Sequence, residues 1–306
     1  TYTWYETSDF LPSSYKNSGG SLIATSQNPR KYNIPPYSLR PGRTYTFVIV
    51  AQMTADPTLN TSATVDVYVV PQAPVAIIAG GSRSISFDSP LILNGGQSYD
   101  PDRNASAAEQ GLAYRWFCVN ASDPTLAACK NVRLGTNSTA KVGPGNLTVG
   151  SYYMTLEVSL NDRKSNDTVI IEVVKSNPPE VEISVIGKQS KYNVGDYVQL
   201  SGAWISNNSV SASVWRQFDS NAQKPLALLG TDTSGNARPF ATIDVGKLTS
   251  GLSYTFQLSV TDSLGEIGYA TVDLVVNTPP SSGSMSTSPS KGYPFTTDFS
   301  FVALNW

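Results

Sequence analysis

Two short stretches of this 306-residue chain carry side chains at spacings that chemistry could use. Asp100-Pro-Asp102-Arg-Asn104 places oxygen ligands at alternate positions, as a calcium loop begins. It lacks the glycine and the distal bidentate glutamate of an EF-hand. The competing reading is a turn whose Asp side chains cap local backbone N–H groups. Cys118 and Cys129 are the only cysteines. Without His or further Cys they make a poor zinc site. Their short separation suits a local disulfide, with two buried free thiols as the other reading. The chain has no histidine. That removes Ser-His-Asp and Cys-His nucleophiles, His metal ligands and the usual general base together. No Asp/Glu pair sits in a context recognisable for carboxylate catalysis. Gly143-Pro-Gly145 is followed by neither the Lys-Ser/Thr nor the helical pattern of a phosphate loop. A non-enzyme without a cofactor is expected.

Composition narrows the class further. Charged residues make up 14% of the chain, well below the roughly 25% of an ordinary soluble domain. The net charge is −2, and no basic run offers a footprint for nucleic acid. Sequons stand at Asn60, Asn104, Asn120, Asn137, Asn146, Asn166 and Asn207. Several fall between strand patterns, where a glycan acceptor must be. An extracellular chain is therefore expected. No apolar run approaches the roughly 18 residues of a membrane span, and no signal-peptide pattern opens the sequence. A leader or anchor of a secreted or membrane-bound parent is expected outside this stretch.

The elements that position these residues announce themselves by repetition. Leu39-Arg-Pro-Gly42-Arg-Thr-Tyr45-Thr-Phe47 returns as Leu147-Thr-Val-Gly150-Ser-Tyr152-Tyr153-Met154 and as Leu248-Thr-Ser-Gly251-Leu-Ser-Tyr254-Thr-Phe256. Each leads to an alternating apolar segment, at Thr64–Val70, Thr168–Val174 and Thr271–Val276, and then to proline. Self-similarity at this period marks an array of homologous units. Alternation with period two makes them all-β, and no stretch carries a capped helical stripe. Leu-x-x-Gly before a tyrosine that opens a strand resembles the tyrosine corner of Ig-like sandwiches. Tyr45, Tyr152 and Tyr254 are the corner positions. Trp4, Trp116 and Trp215 lie where strand C places its core tryptophan. Spacing from the prolines pairs Trp204 with Trp306 at the end of strand B.

The expected architecture is a tandem of Ig-like β-sandwiches, of PKD or fibronectin type III kind, in an extended array. Residues 1–72 hold strands C to G of one unit, 73–177 and 178–278 are complete units, and 279–306 hold strands A and B of another. Such a chain reads as an excerpt of a longer one. Pro74, Pro178-Pro179 and Pro279-Pro280 stand at short hand-overs between units. Semi-rigid linkers of this kind predict units placed end to end, with few contacts beyond the shared junction.

Three segments go beyond the general sandwich pattern. Leu93-Asn-Gly-Gly-Gln-Ser98-Tyr99-Asp100-Pro101-Asp102, with Tyr114-Arg-Trp116-Phe-Cys118 and Cys129, resembles the PKD-type module and, through its cysteines, the receptor-for-egg-jelly (REJ) region. Ser259-Val-Thr-Asp262-Ser-Leu-Gly265 resembles a PKD-type F–G hairpin. Pro279-Pro280-Ser-Ser-Gly283, continuing through Pro289 and Gly292 to Phe299, Phe301 and Trp306, resembles the REJ motif most specifically. Residues 178–278 and the first tryptophan-containing segment depart from the pattern by lacking cysteine.

The resemblance implies the ectodomain of a large, membrane-anchored protein of polycystin or sperm-receptor type, several of which are ciliary or flagellar. The implied role is structural or adhesive: a spacer that docks another extracellular protein or glycan, a filament subunit or a matrix component at the cell surface. Through such a parent a polycystin channel subunit is a further implied partner. The reading from a different class is a carbohydrate-binding accessory region of a secreted hydrolase. For it, Tyr5, Tyr15, Tyr32 and Tyr37 are the candidates for stacking on sugars.

Overall fold

The computed structural model describes residues 1–23, 26–104, 111–122, 129, 132–187, 191–217, 228–229, 240–243, 246–279, 281–293 and 296–304. Among them there is no α-helix, only strands, turns and one 3-10 turn at Ser13–Tyr15. The first strands are β1 (Tyr2–Glu6), β2 (Thr44–Gln52) and β3 (Asn60–Tyr68), which form an antiparallel sheet in that order. Tyr45 and Phe47 on β2 form its small core with Leu11 and Leu22 from the β1–β2 connection.

The second sandwich comprises β4 (Ser82–Ser86), β5 (Leu91–Asn94), β6 (Ala113–Asn120), β7 (Thr139–Val142), β8 (Gly150–Leu160) and β9 (Arg163–Val174). β5 pairs with β7, while β6, β8, β9 and β4 are neighbours in a second sheet. Inward side chains of the long β8–β9 hairpin, among them Met154, Leu156, Val158 and Ile171, are buried in one core with Leu93 and Trp116. Alternation along both strands turns these side chains to one face, while Tyr153 and Ile170 stand exposed on the other.

The third sandwich comprises β10 (Glu180–Ile186), β11 (Val198–Ile205), β12 (Val210–Gln217), β13 (Leu228–Leu229), β14 (Phe240–Ile243), β15 (Ser253–Asp262) and β16 (Ile267–Val275). Its sheets run β10-β11-β14-β13 and β12-β15-β16. That is the A-B-E-D and C-F-G division of an immunoglobulin-type sandwich. A single buried cluster from both sheets includes Ile183, Leu200, Trp215, Phe256 and Leu258. The last pair, β17 (Ser284–Ser288) and β18 (Ser300–Leu304), is an antiparallel hairpin. Trp306 lies outside the described residues.

The structure corrects the expected arrangement of the two complete sandwiches. They do not stand end to end. Strand β4 pairs parallel with β9 of its own sandwich and antiparallel with β16 of the next, giving one continuous sheet of seven strands, β12-β15-β16-β4-β9-β8-β6. Because β4 is parallel to β9 and antiparallel to β16, β9 and β16 run in opposite directions. The third sandwich is folded back beside the second. Proline restricts φ in the linker but does not choose its direction. The direction follows from the edges of β9 and β16, whose backbone groups need partners. One short strand serves both.

Candidate functional site

The three corner tyrosines are buried, and each hydroxyl reaches back to the backbone just upstream. The Arg40 N–H donates to Tyr45 Oη at 2.7 Å, and the Thr249 N–H donates to Tyr254 Oη at 2.9 Å. Tyr152 Oη accepts from the Thr148 N–H at 3.0 Å and donates to the Thr148 carbonyl at 3.0 Å. Trp116 and Trp215 are buried on β6 and β12, opposite Leu156 of β8 and Leu258 of β15. Trp116 Nε1 donates to the Asn137 carbonyl at 2.9 Å. Trp4 is only half-buried and donates to the Pro29 carbonyl at 3.0 Å. Tyr15 and Tyr32 pack against the first core, whereas Tyr37 is exposed.

The acidic turn proposed as a cation site faces a guanidinium. Arg163, at the start of β9, donates to Asp100 through both terminal nitrogens, at 3.0 and 2.8 Å, and to Asp102 at 2.7 Å. It also donates to the Gln72 carbonyl, while the Gln72 N–H donates to Asp102 at 2.9 Å. Asp100 is fully buried. Its carboxylate bonds hold the Arg163 guanidinium above its ordinary pKa, against the opposing effect of burial. A buried carboxylate needs such a partner. The alternate oxygens of Asp100 and Asp102 thus clamp the chain entering the second sandwich to its β8–β9 hairpin, and Asn104 lies exposed beyond them. Among the described residues no cluster of three or more His, Cys, Asp or Glu could hold a metal ion.

Cys118 on β6 is bonded to Cys129, with 5.7 Å between their Cα atoms. Of the seven sequon asparagines, Asn60, Asn104, Asn137, Asn146, Asn166 and Asn207 are exposed. Asn120 is half-buried and accepts the Ser122 N–H at 2.8 Å.

The densest polar constellation lies at the junction of the second and third sandwiches, and sequence reasoning missed it. Four of the five residues of β4 are buried, although three of the five are serines. Their hydroxyls serve both neighbours: Ser82 Oγ accepts the Ile170 N–H at 2.9 Å, and Ser84 Oγ accepts the Tyr269 N–H at 3.1 Å. Arg83, 4% exposed, donates to the Ile92 carbonyl at 2.8 Å and stands 3.6 Å from Glu182 of β10. Burial pulls its pKa down, and the neighbouring Glu182 and Glu180 carboxylates oppose that. On the other face of the sheet the Tyr269 hydroxyl donates to Glu172 of β9. Burial, then the Glu172 carboxylate, push the Tyr269 pKa well above the ordinary phenol range.

Two glycines permit this contact. A Cβ at Gly81 would lie 2.1 Å from the Thr271 carbonyl, and one at Gly268 would lie 1.8 Å from the Pro179 carbonyl. Ser82-Arg-Ser-Ile-Ser86 shows no apolar alternation, so pattern reading passes over it. The signal that could have found it is Gly80-Gly81 directly before a polar run, since adjacent glycines mark close backbone approach. Two clefts flank the junction. One of about 220 Å³ is lined by Arg83, Leu91, Glu180, Glu182, Trp204 and Ile205 among others. The other, of about 510 Å³, lies between residues 72–76, the start of β9 and the end of β16.

A family model described as REJ domain matches residues 5–306. Human Polycystin-1 is 31% identical over 273 residues, covering 86% of this chain and 6% of that protein. Mouse Polycystin-1-like protein 1 is 35% identical over 107 residues, covering 33% of this chain and 4% of that protein. The chain therefore spans only a small part of the curated relatives it matches. Among solved structures, Drosophila N-cadherin EC1-4 is 13% identical with a TM-score of 0.32, covering 91% of this chain and 67% of that one. Chicken CNTN1 FN1-FN3 domains are 14% identical with a TM-score of 0.27, covering 90% of this chain and 88% of that one. Similarity at these scores carries no argument about overall arrangement.

Proposed function

The chain belongs to the REJ domain family, and on that premise we propose that it is a non-catalytic, extracellular part of a membrane-anchored, polycystin-like protein. Its units divide at 1–72, 73–177, 178–278 and 279–306, and it serves as a semi-rigid spacer at the cell or ciliary surface. The observation that carries this reading is the family match along residues 5–306, together with 31% identity to Polycystin-1 over most of the chain. The bonded cysteines and the exposed sequons suit the oxidising, glycosylating route that such a part would follow. The seven-stranded sheet supports stiffness, since bending the second sandwich against the third would break ladder bonds and expose Arg83. Stiffness suits a role in presenting a face to another extracellular protein, a filament subunit or a glycan, with a channel subunit reached through the parent. The accessory region of a hydrolase is not favoured by the family match.

The test is topological. An epitope tag placed at Gly195, where added bulk meets open space, in the full-length parent is expected to bind antibody on intact, unpermeabilised cells. Labelling only after permeabilisation would contradict the reading.

A further inference from the structure

The seven-stranded sheet is incomplete along its central seam. β4 fills the space between β9 and β16 only from Ser82 onward, where Arg83 pairs with Ile171 on one side and Ala270 on the other. Upstream, the chain leaves the sheet plane at Gly80-Gly81. The Ile78 N–H donates to the Asp167 carboxylate at 2.7 Å, and the Ala76 N–H donates to Ser165 Oγ at 3.1 Å. The first half of β9 and the second half of β16 therefore flank a slot that no strand of this sheet occupies. Tyr192 closes its far end, its N–H donating to the Val275 carbonyl at 2.8 Å. This slot is the cleft of about 510 Å³. It exists only because the third sandwich is folded back.

Asn166 forms part of the cleft wall, and Asn166-Asp-Thr168 is a sequon. Alternation along β9 turns Asn166, Lys164 and Thr168 outward, while Ser165, Asp167 and Val169 face the interior. The opposite wall supplies Asp273 and Val275, and the floor Pro74 and Val75. This mixture of apolar surface and carboxylate acceptors matches N-acetylglucosamine, which has apolar ring faces, hydroxyls and an amide N–H. We propose that Asn166 carries an N-linked glycan whose first sugars lie in this cleft and brace the second sandwich against the third. In the step that installs it, Asn166 Nδ2 bonds to the anomeric carbon of a lipid-pyrophosphate-linked oligosaccharide. The carbon–oxygen bond to the pyrophosphate breaks, the lipid pyrophosphate departs, and the amide gives up one proton. The third sandwich then folds against the attached sugar and shelters its inner residues from later processing.

The inference rests on the extracellular reading above, and the test separates the two. The whole chain is secreted from a eukaryotic cell and its glycopeptides are analysed site by site, with Asn137 in its exposed turn as reference. Asn166 is expected to be occupied, to stay rich in oligomannose, and to release its glycan from folded protein several-fold more slowly than Asn137. Asn166→Gln is expected to lower the melting midpoint by about 2–4 °C, the shift typical of losing one modest contact in a protein of this size. Asn137→Gln should leave the midpoint unchanged. A bare Asn166 beside occupied neighbours overturns the inference alone. So does an Asn166 glycan as processed and as quickly released as that of Asn137, or an Asn166→Gln midpoint equal to the unaltered chain's. Absence of glycan from all seven sequons overturns the extracellular reading itself.

Discussion

The corner tyrosines are the residues whose roles were most legible in the sequence, because repetition and alternation point to the same side chains. Each tyrosine fills a core and satisfies a backbone N–H that would otherwise be buried without a partner. Tyr254→Phe keeps the ring but strands the Thr249 N–H, so it should cost about 1–3 kcal/mol in urea unfolding of the third sandwich. Asp262 is a second residue with a readable role. It caps the β15–β16 turn, accepting the Leu264 and Glu266 N–H groups at 2.9 and 3.0 Å and the Asn208 amide at 2.7 Å. The Asn208 bond, then those turn N–H groups, hold its carboxyl below the ordinary value despite the opposing effect of desolvation. A depressed folded-state pKa adds stability that is complete above the unfolded-state value and is lost as pH falls through the folded one. The melting midpoint should therefore fall as pH drops below about 4, the ordinary Asp value, and Asp262→Asn should flatten that part of the profile. Arg163 was not legible in the same way. Its partners Asp100 and Asp102 lie 63 and 61 residues away, and nothing local to Arg163 marks a pairing that only the fold creates.

Among the elements, the long hairpins followed from period-two patterning, and β8–β9 and β15–β16 stand where alternation predicts them. Strand β4 did not, because its stability comes from position rather than from its own side chains. β4 is flanked by β9 and β16 along both edges and four of its five residues are buried, and serine succeeds there when its hydroxyl is bonded to the neighbouring ladder. Its docking depends on glycine at two places. Gly81 has φ +71° and no room for a Cβ beside Thr271, while Gly268 is closed by Pro179. Gly81→Ala and Gly268→Ala should each cost about 1–3 kcal/mol through overpacking against rigid backbone. Both should also raise amide exchange in β4 and β16. Gly195→Ala, where a Cβ meets nothing within 4 Å, should stay within about 0.5 kcal/mol of the unaltered chain. Equal behaviour of all three variants would show that β4 is not held between the two sandwiches.

At the scale of the whole molecule, the all-β character was legible, but the mutual placement of the second and third sandwiches was not. Pro178-Pro179 indicated a stiff hand-over, and stiffness alone was read as extension. What decides direction is pairing between β4 and β16, a contact between residues nearly 190 positions apart in the chain. Small-angle scattering on residues 73–278 tests this directly. The folded-back pair should give a single-peaked distance distribution and a radius of gyration of about 17–19 Å, close to compact scaling for that length. A twin-peaked distribution extending to about 60–80 Å, as two sandwiches placed end to end would produce, would contradict the shared sheet.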